Sequence, residues 1–405
     1  MIHVCTAFRD ETGSLAKFAG TAMLSVFENI FRPLPSVTVH ILHDNTLTDD
    51  NREKFSYLAG RCNQLVKFYN VEELCADKLA EMFKLLPDAA AARFNKAMLY
   101  KFFVPQVLPA TLGKVIYLDP NVVVNLDVSE LWRVALGDKI LGAVPSLEIG
   151  ADLPNQDKAV ADGLLKREDY FSSAIMLMNL ELLRGEEQKI LDGIKFAGEK
   201  NYLTFLDQTV LNHCFDQRTT KLPAQFNCFV RLARSKKESV AKKIYCYTTY
   251  SLQLDMSDPF NALWLEIFTK TPWFNAETLT KLFANFQQIH TRLKKSMANL
   301  AIVLNGKTRG FCATPNHVDE LKKIFRVRDD EEFIVLENQK SLQKLVNAMK
   351  KSRGKKIFFI MAQGFPLSVL AKAGFVFGAD YLNALEFLSE EQGMSMNSYP
   401  MLHAM

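Results

Sequence analysis

The sequence lacks long apolar runs, and none reaches the roughly 18 residues that a bilayer-spanning helix needs. Its first ten residues carry no charged leading region and are interrupted by Arg9 and Asp10, so they do not predict an export signal. The seven cysteines are scattered and form no CxxC pair. This spacing argues against a disulfide framework or a structural zinc site, and we expect a protein of the reducing cytoplasm.

Three catalytic signatures are also missing. The sequence contains no Walker phosphate loop, no GxGxxG segment and no GxSxG elbow, so kinase, dehydrogenase and hydrolase functions have little support. The 49 basic residues exceed the 45 acidic residues by only four. So small an excess does not indicate a nucleic-acid partner, and we expect none.

What remains is the composition of an ordinary globular protein. Of 405 residues, 48% are hydrophobic and 23% are charged, which excludes wholesale disorder and low-complexity classes. A chain of this length can bury a sizeable core and has room for two or three domains.

The N-terminal part alternates short apolar strands with helical spacing of large apolar residues. This alternation favours a mainly parallel sheet with helices on both faces. The predicted elements are a strand at 2–6, a helix at 17–31, a strand at 36–41, a helix at 49–62 and a strand at 65–69.

A polar turn follows the next predicted unit. A helix over 94–108 leads into a strand at 115–118, which ends at Asp119-Pro120-Asn121 before a second apolar run at 122–124. In open α/β sheets ligands bind outside the carboxyl ends of strands, so Asp119 stands at a candidate site. Two more buried strands are predicted at 139–144 and 174–180.

The C-terminal part reads as a second α/β region. A helix over 277–299, with apolar residues along one stripe, bridges to it. The elements predicted beyond it are a strand at 300–305, a helix at 317–325, a strand at 333–337, a helix at 341–351 and a strand at 356–361, followed by a turn and helix at 363–374 and a loose tail after 393.

Basic stretches at 292–295 and 350–356 mark this second region. They predict a solvated face, or alternatively docking on an anionic membrane surface. We expect this region to bind a partner or to mediate oligomerisation.

Several segments, in order, resemble the family 8 glycosyltransferases over roughly residues 1–275. Each piece is weak alone, and their order and spacing carry the likeness. The pieces are the 115–124 run ending in a degenerate "YLD-x-D" turn, Leu131-Trp132, Tyr170 to Ala174 with Met178-Asn179-Leu180, the "DQ-x-x-LN" segment at Leu206 to Asn212, Phe226-Asn227 and Thr271-Pro272-Trp273.

The resemblance implies a GT-A type α/β fold and retaining transfer of a hexose from a nucleoside diphosphate sugar, with uridine as the expected nucleoside. It places a glycosyltransferase domain at residues 1–280 and a small accessory α/β domain at 281–405. The implied partners are the sugar nucleotide and a glycan or glycoprotein acceptor. We further expect association with a second copy of the chain or with a partner glycosyltransferase, and peripheral contact with the inner face of the membrane.

The same resemblance implies a divalent metal, manganese or magnesium, held at Asp119, Asn121 and Cys246. The family has a second Asp where this chain has Asn121, and a His where it has Cys246. Such ions need hard oxygen ligands, and a thiolate is soft. A unit charge missing about 4 Å from a cation is worth roughly 4 kcal/mol at an effective dielectric constant near 20. We therefore expect metal binding that is weak or lost.

The remaining site residues also come from the resemblance. Asp207 and Gln208 are the catalytic candidates, contacting sugar hydroxyls and the reacting anomeric carbon. Ser146 stands where the family has Asp. The donor-binding candidates are Thr6, Ala7, Arg9, Asp10, Lys101, Asp119, Asn121, Ser172 and Ser173.

Two functions stay open at this point. In the first, the protein is a glycosyltransferase with altered metal dependence, in which Lys101 or Arg9 neutralises phosphate charge. In the second, it is a catalytically silent homologue that binds a nucleotide, a glycan or an active partner enzyme.

Each candidate also has a structural alternative. Asp119 could cap its turn, Asp207 and Gln208 could favour a helix N-terminus, and Cys246 could be a small buried apolar residue. Lys101 and Arg9 could be structural or solvated, as could His40, His43 and His213.

Overall fold

The computed structural model describes residues 1–30, 37–87, 96–146, 157–247, 258–276, 280, 306–362 and 368–384. Within these ranges the chain divides into two compact units, one in residues 1–279 and one in 280–399. Five predicted features lie outside the described residues. They are the bridging helix at 277–299 apart from residue 280, the strand at 300–305, the turn at 363–366, the tail and the basic stretch at 292–295.

The first unit is built on a seven-stranded sheet with strand order β3-β2-β1-β4-β7-β6-β8. Strand β1 pairs in parallel with β2 and β4, and β2 with β3, whereas β7 runs antiparallel to both β4 and β6. The strands of the unit are β1 (Ile2–Ala7), β2 (Val37–His43), β3 (Leu65–Asn70), β4 (Lys114–Leu118), β5 (Val122–Val124), β6 (Leu141–Pro145), β7 (Phe171–Asn179), β8 (Thr219–Lys221), β9 (Cys228–Phe229) and β10 (Ile244–Cys246).

Helices connect these strands. Helix α2 begins with a side-chain cap, because the Thr48 side chain accepts from the Asn51 amide. Asp49 and Asp50 lie in its first turn, where negative charge is favourable to the helix dipole. The helices are α1 (Leu15–Glu28), α2 (Asp49–Arg61), α3 (Val71–Leu74), α4 (Ala76–Lys84), α5 (Ala97–Tyr100), α6 (Val104–Val107), α7 (Ser129–Trp132), α8 (Lys158–Ala161), α9 (Leu180–Leu183), α10 (Glu187–Lys200), α11 (Leu206–Phe215), α12 (Val230–Ser235) and α13 (Pro259–Phe268).

The single helix predicted over 94–108 is wrong. The described part of this segment is α5, a 3₁₀ turn at Lys101–Phe103, and α6. Pro105 lacks an amide proton, and its ring would clash with the Lys101 carbonyl in a continuous α-helix. The break places Lys101 in a tight turn.

A small second sheet, in the order β5-β10-β9, carries the polypeptide after the Asp119 turn. Strand β10 runs antiparallel to β5, with Cys246 opposite Val122. The Tyr247 amide donates to the Asn121 carbonyl at 2.8 Å. Cys246 and the turn are therefore neighbours through backbone pairing.

The second unit contains an all-parallel sheet in the order β12-β11-β13-β14. Of its two inner strands, β13 was predicted at 356–361, whereas β11 was not, since it opens with Thr308-Arg309-Gly310 and has only a short apolar run. A capping box between Asn338 and Ser341 starts its longest described helix. The elements are β11 (Thr308–Ala313), α14 (Val318–Phe325), β12 (Glu332–Val335), α15 (Gln339–Lys351), β13 (Lys356–Met361), α16 (Ser368–Lys372) and β14 (Tyr381–Asn383).

The predicted mainly parallel α/β sheet is confirmed, and most predicted elements differ from the observed ones only by a few residues at their ends. Among the helices in the described ranges, none combines the length and apolar character needed to cross a bilayer.

Candidate functional site

Polar side chains collect at one edge of the first sheet. Strands β1, β2 and β4 are parallel, so Arg9, Asp44 and Asp119 all follow carboxyl ends at the same edge. Strand β7 runs the other way, which brings its first residues, Ser172 and Ser173, to that edge too. The Asp119 amide donates to the Ala174 carbonyl at 2.8 Å and joins the turn to β7.

Lys101 is the centre of this cluster. Lys101 is 4% exposed. Its ammonium contacts the Asp207 carboxylate and lies 3.5 Å from Asp119 Oδ1. It also donates to the Ser173 hydroxyl at 3.3 Å and lies 5.0 Å from the Tyr117 ring centroid. Burial lowers the pKa of Lys101, but the carboxylates of Asp119 and Asp207 outweigh it and raise that pKa overall. The ammonium therefore stays charged.

Asp119 remains open to solvent on one side, with 29% of its side chain exposed. Burial of the rest raises the pKa of Asp119, while the Lys101 charge opposes this. The Asp119 carboxylate is thus a partly exposed anion whose inner side is already paired.

Gln208 is held at both ends of its amide. Its Oε1 accepts from the Ser173 amide at 2.9 Å, and its Nε2 donates to the Tyr170 hydroxyl at 2.8 Å. One turn later, Asn212 brackets the backbone of Phe171, accepting from its amide at 2.8 Å and donating to its carbonyl at 2.9 Å. These bonds fix α11 against the start of β7 and orient Asp207 and Gln208 toward Ser173.

Asp10 serves a helix. Its Oδ1 accepts from the Leu15 and Ala16 amides at 2.8 and 3.1 Å, and its Oδ2 accepts from Asn51 Nδ2 at 2.8 Å. A carboxylate at this position satisfies amides that the first turn of α1 leaves unpaired. The Trp273 indole donates to Asn51 Oδ1 at 2.8 Å, so the Thr271-Pro272-Trp273 segment reaches the same network.

Asp44 was not among the predicted site residues. It is 1% exposed, accepts from the Tyr100 hydroxyl at 2.8 Å and lies 3.7 Å from Arg9 Nε. Its position directly after β2 is the signal that could have found it, because the strand-end rule used for Asp119 applies equally here.

Most of the buried polar side-chain atoms that lack a hydrogen-bond partner lie at this edge. Among the described residues, the atoms without a partner are Thr6 Oγ1, Arg9 Nε, Asn121 Oδ1, Ser146 Oγ, and both amide atoms of Asn227. Thr6 and Arg9 lie at the end of β1, Asn121 after β4, and Ser146 after β6. Such groups are rare in folded proteins because each costs desolvation energy, so their clustering indicates a polar ligand site.

The predicted metal ligands do not fit a hard divalent ion. Asp119 supplies one carboxylate, already paired with Lys101, and Asn121 supplies a neutral amide oxygen. Cys246 is 2% exposed, and burial raises the pKa of its thiol so that it stays protonated. No group of three His, Cys, Asp or Glu side chains with metal-binding geometry occurs in the described ranges. Manganese and magnesium prefer several oxygen ligands, and this set provides one anionic oxygen donor.

The predicted site residues are thus divided by the fold. Lys101, Asp119, Ser173, Asp207 and Gln208 form one network, and Asn121 and Cys246 adjoin it through β5 and β10. Thr6, Ala7, Arg9 and Asp10 lie at the end of β1, where Asp10 is engaged by α1, and Ser172 lies at the start of β7. None of these positions by itself tests the role that the resemblance implies.

Comparison with known proteins shows the family. The sequence model of glycosyl transferase family 8 matches residues 12–249, more than half of the chain. The chain is 27% identical over 150 residues to lipopolysaccharide 1,2-glucosyltransferase of Escherichia coli K12, covering 36% of this chain and 42% of that protein. It is 25% identical over 207 residues to glycosyltransferase GlyF of Streptococcus pneumoniae, covering 49% and 46%. The matches therefore span less than half the length of each of these two relatives.

Among solved structures, galactosyltransferase LgtC in complex with donor and acceptor sugar analogs superposes with a TM-score of 0.52 and 18% identity. The match covers 67% of this chain and 96% of that one. At this identity the likeness shows the fold, and it confirms the GT-A type architecture. This chain belongs to glycosyl transferase family 8.

Proposed function

We propose that this chain is a glycosyltransferase that transfers a hexose from a uridine diphosphate sugar to a glycan or protein-linked acceptor, with retention of configuration. Membership of family 8 supports the reaction class. The lipopolysaccharide glucosyltransferase and the galactosyltransferase described above both carry names of hexose transferases, and this supports a hexose.

The observation that carries this proposal is the set of buried polar atoms without hydrogen-bond partners at the carboxyl edge of the first sheet. Thr6, Arg9, Asn121 and Ser146 contribute hydroxyl, guanidinium and amide groups there. A sugar nucleotide supplies hydroxyls, phosphate oxygens and base edges in one molecule. Binding it would satisfy groups that the folded chain leaves unpaired.

The chemistry needs positive charge near the leaving group. As the glycosidic bond breaks, the departing diphosphate gains negative charge, and a fixed cation stabilises it. Arg9 and Lys101 are two cations that the described residues place at this edge. Asp207 and Gln208 would contact the sugar. The hydrogen bonds that join Gln208 to Ser173 and Tyr170 would hold the Gln208 side chain in one orientation. Because the donor set does not fit manganese or magnesium, no step is assigned to a metal.

We further propose that residues 1–280 form the catalytic domain and that 281–405 form an accessory domain for a partner enzyme or a second copy of the chain. A cytoplasmic location, with contact at the inner face of the membrane, would bring the catalytic domain to lipid-linked acceptors.

A second candidate function is a silent homologue that binds a nucleotide, a glycan or an active partner enzyme. This function is favoured by the hydrogen bonds and ion pairs that the site residues already make within the protein. Asp10 caps α1, Lys101 is enclosed by protein acceptors, and both ends of Gln208 have protein partners.

Two measurements distinguish the two functions. Calorimetric titration with uridine diphosphate and its hexose derivatives should show saturable binding that Asp119→Asn alters. When glycan acceptors are added, the bound donor sugar should be hydrolysed or transferred. The release of uridine diphosphate measures this turnover. Binding without turnover supports the silent homologue, and absence of binding to every sugar nucleotide contradicts the donor assignment.

A further inference from the structure

We infer that this site works without a divalent cation. The Lys101 ammonium, held between Asp119 and Asp207, takes the cation's place, and Arg9 is the cation that meets a diphosphate. The inference rests on the proposed donor class, and it concerns how this chain supplies positive charge.

The first step is the position of the Lys101 ammonium. It contacts the Asp207 carboxylate, lies 3.5 Å from Asp119 Oδ1, and has the Ser173 carbonyl and hydroxyl at 3.5 and 3.3 Å. Four oxygens surround a group with three N–H donors. The ammonium therefore has the oxygen environment of a bound cation, and a metal would have to displace it to share both carboxylates.

The second step is the charge balance. Asp119 and Asp207 carry two negative charges and Lys101 one positive charge, which leaves the cluster at −1. An Asp in place of Asn121 would make it −2. The neutral amide at 121 therefore lowers the repulsion that a diphosphate meets when no metal is present.

The third step is Arg9, which differs from Lys101 in exposure. About a quarter of its side chain is exposed, at 26%, against 5% for Lys101. Its Nε is buried without a hydrogen-bond partner, while Nε lies 3.7 Å from Asp44 and Nη2 lies 3.4 Å from Glu11. A guanidinium presents a planar fork that suits phosphate oxygens, and here one of its donors is unused.

The fourth step is what the surrounding residues exclude. The Cys246 sulfur is buried and is a soft donor, and Asn121 offers a neutral amide oxygen. Neither neutralises a divalent ion. The cost of dehydrating such an ion would have to be met by Asp119 with little help from its neighbours.

The nucleotide test uses the full chain and calorimetry with uridine diphosphate, in chelator and in excess manganese. The dissociation constants in the two conditions should agree within about twofold, a difference too small to reflect a bridging ion. Arg9→Gln should weaken binding about tenfold to 100-fold, because it removes charge-assisted hydrogen bonds. Arg61→Gln, an exposed arginine at the far end of α2, is the matched control and should change nothing. Binding that requires manganese would overturn the inference.

The metal test needs no nucleotide. Electron paramagnetic resonance of free manganese should show that the wild-type chain binds none of it when manganese is at millimolar concentration. Asn121→Asp combined with Cys246→His should gain affinity by about tenfold or more, because it adds an anionic oxygen and an imidazole. Wild-type binding as tight as that of the double variant would overturn the inference.

Lys101→Met tests the replacement directly. It leaves the Asp119 and Asp207 carboxylates unneutralised, so manganese affinity should rise about tenfold, whereas Lys114→Met at the opposite end of β4 should not raise it. If Lys101→Met does not fold, the double variant decides the question. If no sugar nucleotide binds in either condition, the proposed function and the role of Arg9 both fail, while the manganese measurements still decide whether Lys101 replaces the ion.

Discussion

The two units share an architecture and differ in what they bury. Each has a sheet that contains parallel strands connected by helices, although β7 runs antiparallel to its neighbours in the first unit. The first unit buries many polar residues, among them Asp10, Asp44, Lys101 and Gln208. In the described part of the second unit, no polar or charged residue is buried as a whole, and the nearest case is the Glu331 side chain, paired with Arg309.

This difference separates stability from chemistry. Buried polar groups cost desolvation energy unless they are paired, so a fold retains them mainly where a structure or a ligand needs them. The second unit has a core of aromatic and aliphatic side chains, including Phe311, Phe358 and Phe359. The same sheet type therefore serves as a polar site in one unit and as an apolar scaffold in the other.

The largest effect is expected from Phe359→Ala in the second unit. Phe359 is 0% exposed, with its ring centroid 4.8 Å from that of Phe325. The change should cost about 3–5 kcal/mol of unfolding free energy, measured by hydrogen exchange of β13 peptides. Phe377→Ala, at an exposed ring, should cost much less. Uridine diphosphate affinity should stay unchanged, and a loss would place the second unit in ligand binding.

Close packing at glycine should be equally strict in both units. A Cβ on Gly20 would overlap the Trp273 ring, and one on Gly310 would lie 2.7 Å from the Phe358 ring. Each alanine variant should lose about 1–3 kcal/mol in denaturant unfolding. Gly60→Ala, in open space on α2, should instead gain up to about 1 kcal/mol. A neutral Gly20→Ala would show that the Trp273 contact is not tight.

The Arg309–Glu331 pair should give the second unit a pH dependence of its own. Burial raises the pKa of Glu331, but hydrogen bonds from Arg309 and the Arg328 amide outweigh it and lower that pKa below its ordinary 4.5. The folded state is therefore favoured above pH 4.5 and loses this advantage as pH falls through the lowered value.

Arg309→Met should lower the unfolding free energy by about 1–2 kcal/mol at neutral pH. It should also flatten the acid limb, which is the loss of stability as the pH falls. Hydrogen exchange of β11 peptides measures both effects. Lys356→Met, which removes the 2.6 Å ion pair with Glu332 on the same sheet, is the control and should leave the acid limb in place. An acid limb that survives Arg309→Met would assign the pH dependence to other groups.

The smallest effect is expected at the buried cysteines. Burial raises the pKa of Cys312 to about 12 and also raises that of Cys246, so neither should be alkylated in the native protein. Cys62, which is partly exposed, should react first, as mass spectrometry of labelled peptides would show. If Cys246 reacts as fast as Cys62, it is an accessible thiol and differs from Cys312.

Much of the fold could be predicted from local patterns. Strands such as β1 and β2 and the helix α2 follow from apolar periodicity and from the Thr48 cap, which are properties of neighbouring residues. The continuous helix over 94–108 failed because one proline outweighs apolar spacing. Strand β11 was missed because its first residues are polar or glycine, and only pairing with β12 and β13 defines it.

The site was predictable in membership but less so in arrangement. The strand-end rule located Asp119, and the family resemblance supplied Lys101, Asp207 and Gln208. The role of Asp10 as a cap for α1 depends on amides five and six residues away and on Asn51, 41 residues away. Asp44 was missed because the strand predicted at 36–41 stops two residues short of the observed end of β2 at His43, so the strand-end rule was not applied to it.

By itself the sequence determined the family and the alternation of strands and helices, and it placed an amide at Asn121 and a thiol at Cys246, where the resemblance leads us to expect an acidic residue and a histidine. These are matters of residue identity and local spacing. The tertiary structure alone decided that Lys101 lies between two carboxylates 18 and 106 positions further along the chain. Contacts of that range depend on strand order and register, because only the folded sheet brings such distant segments within a few ångströms.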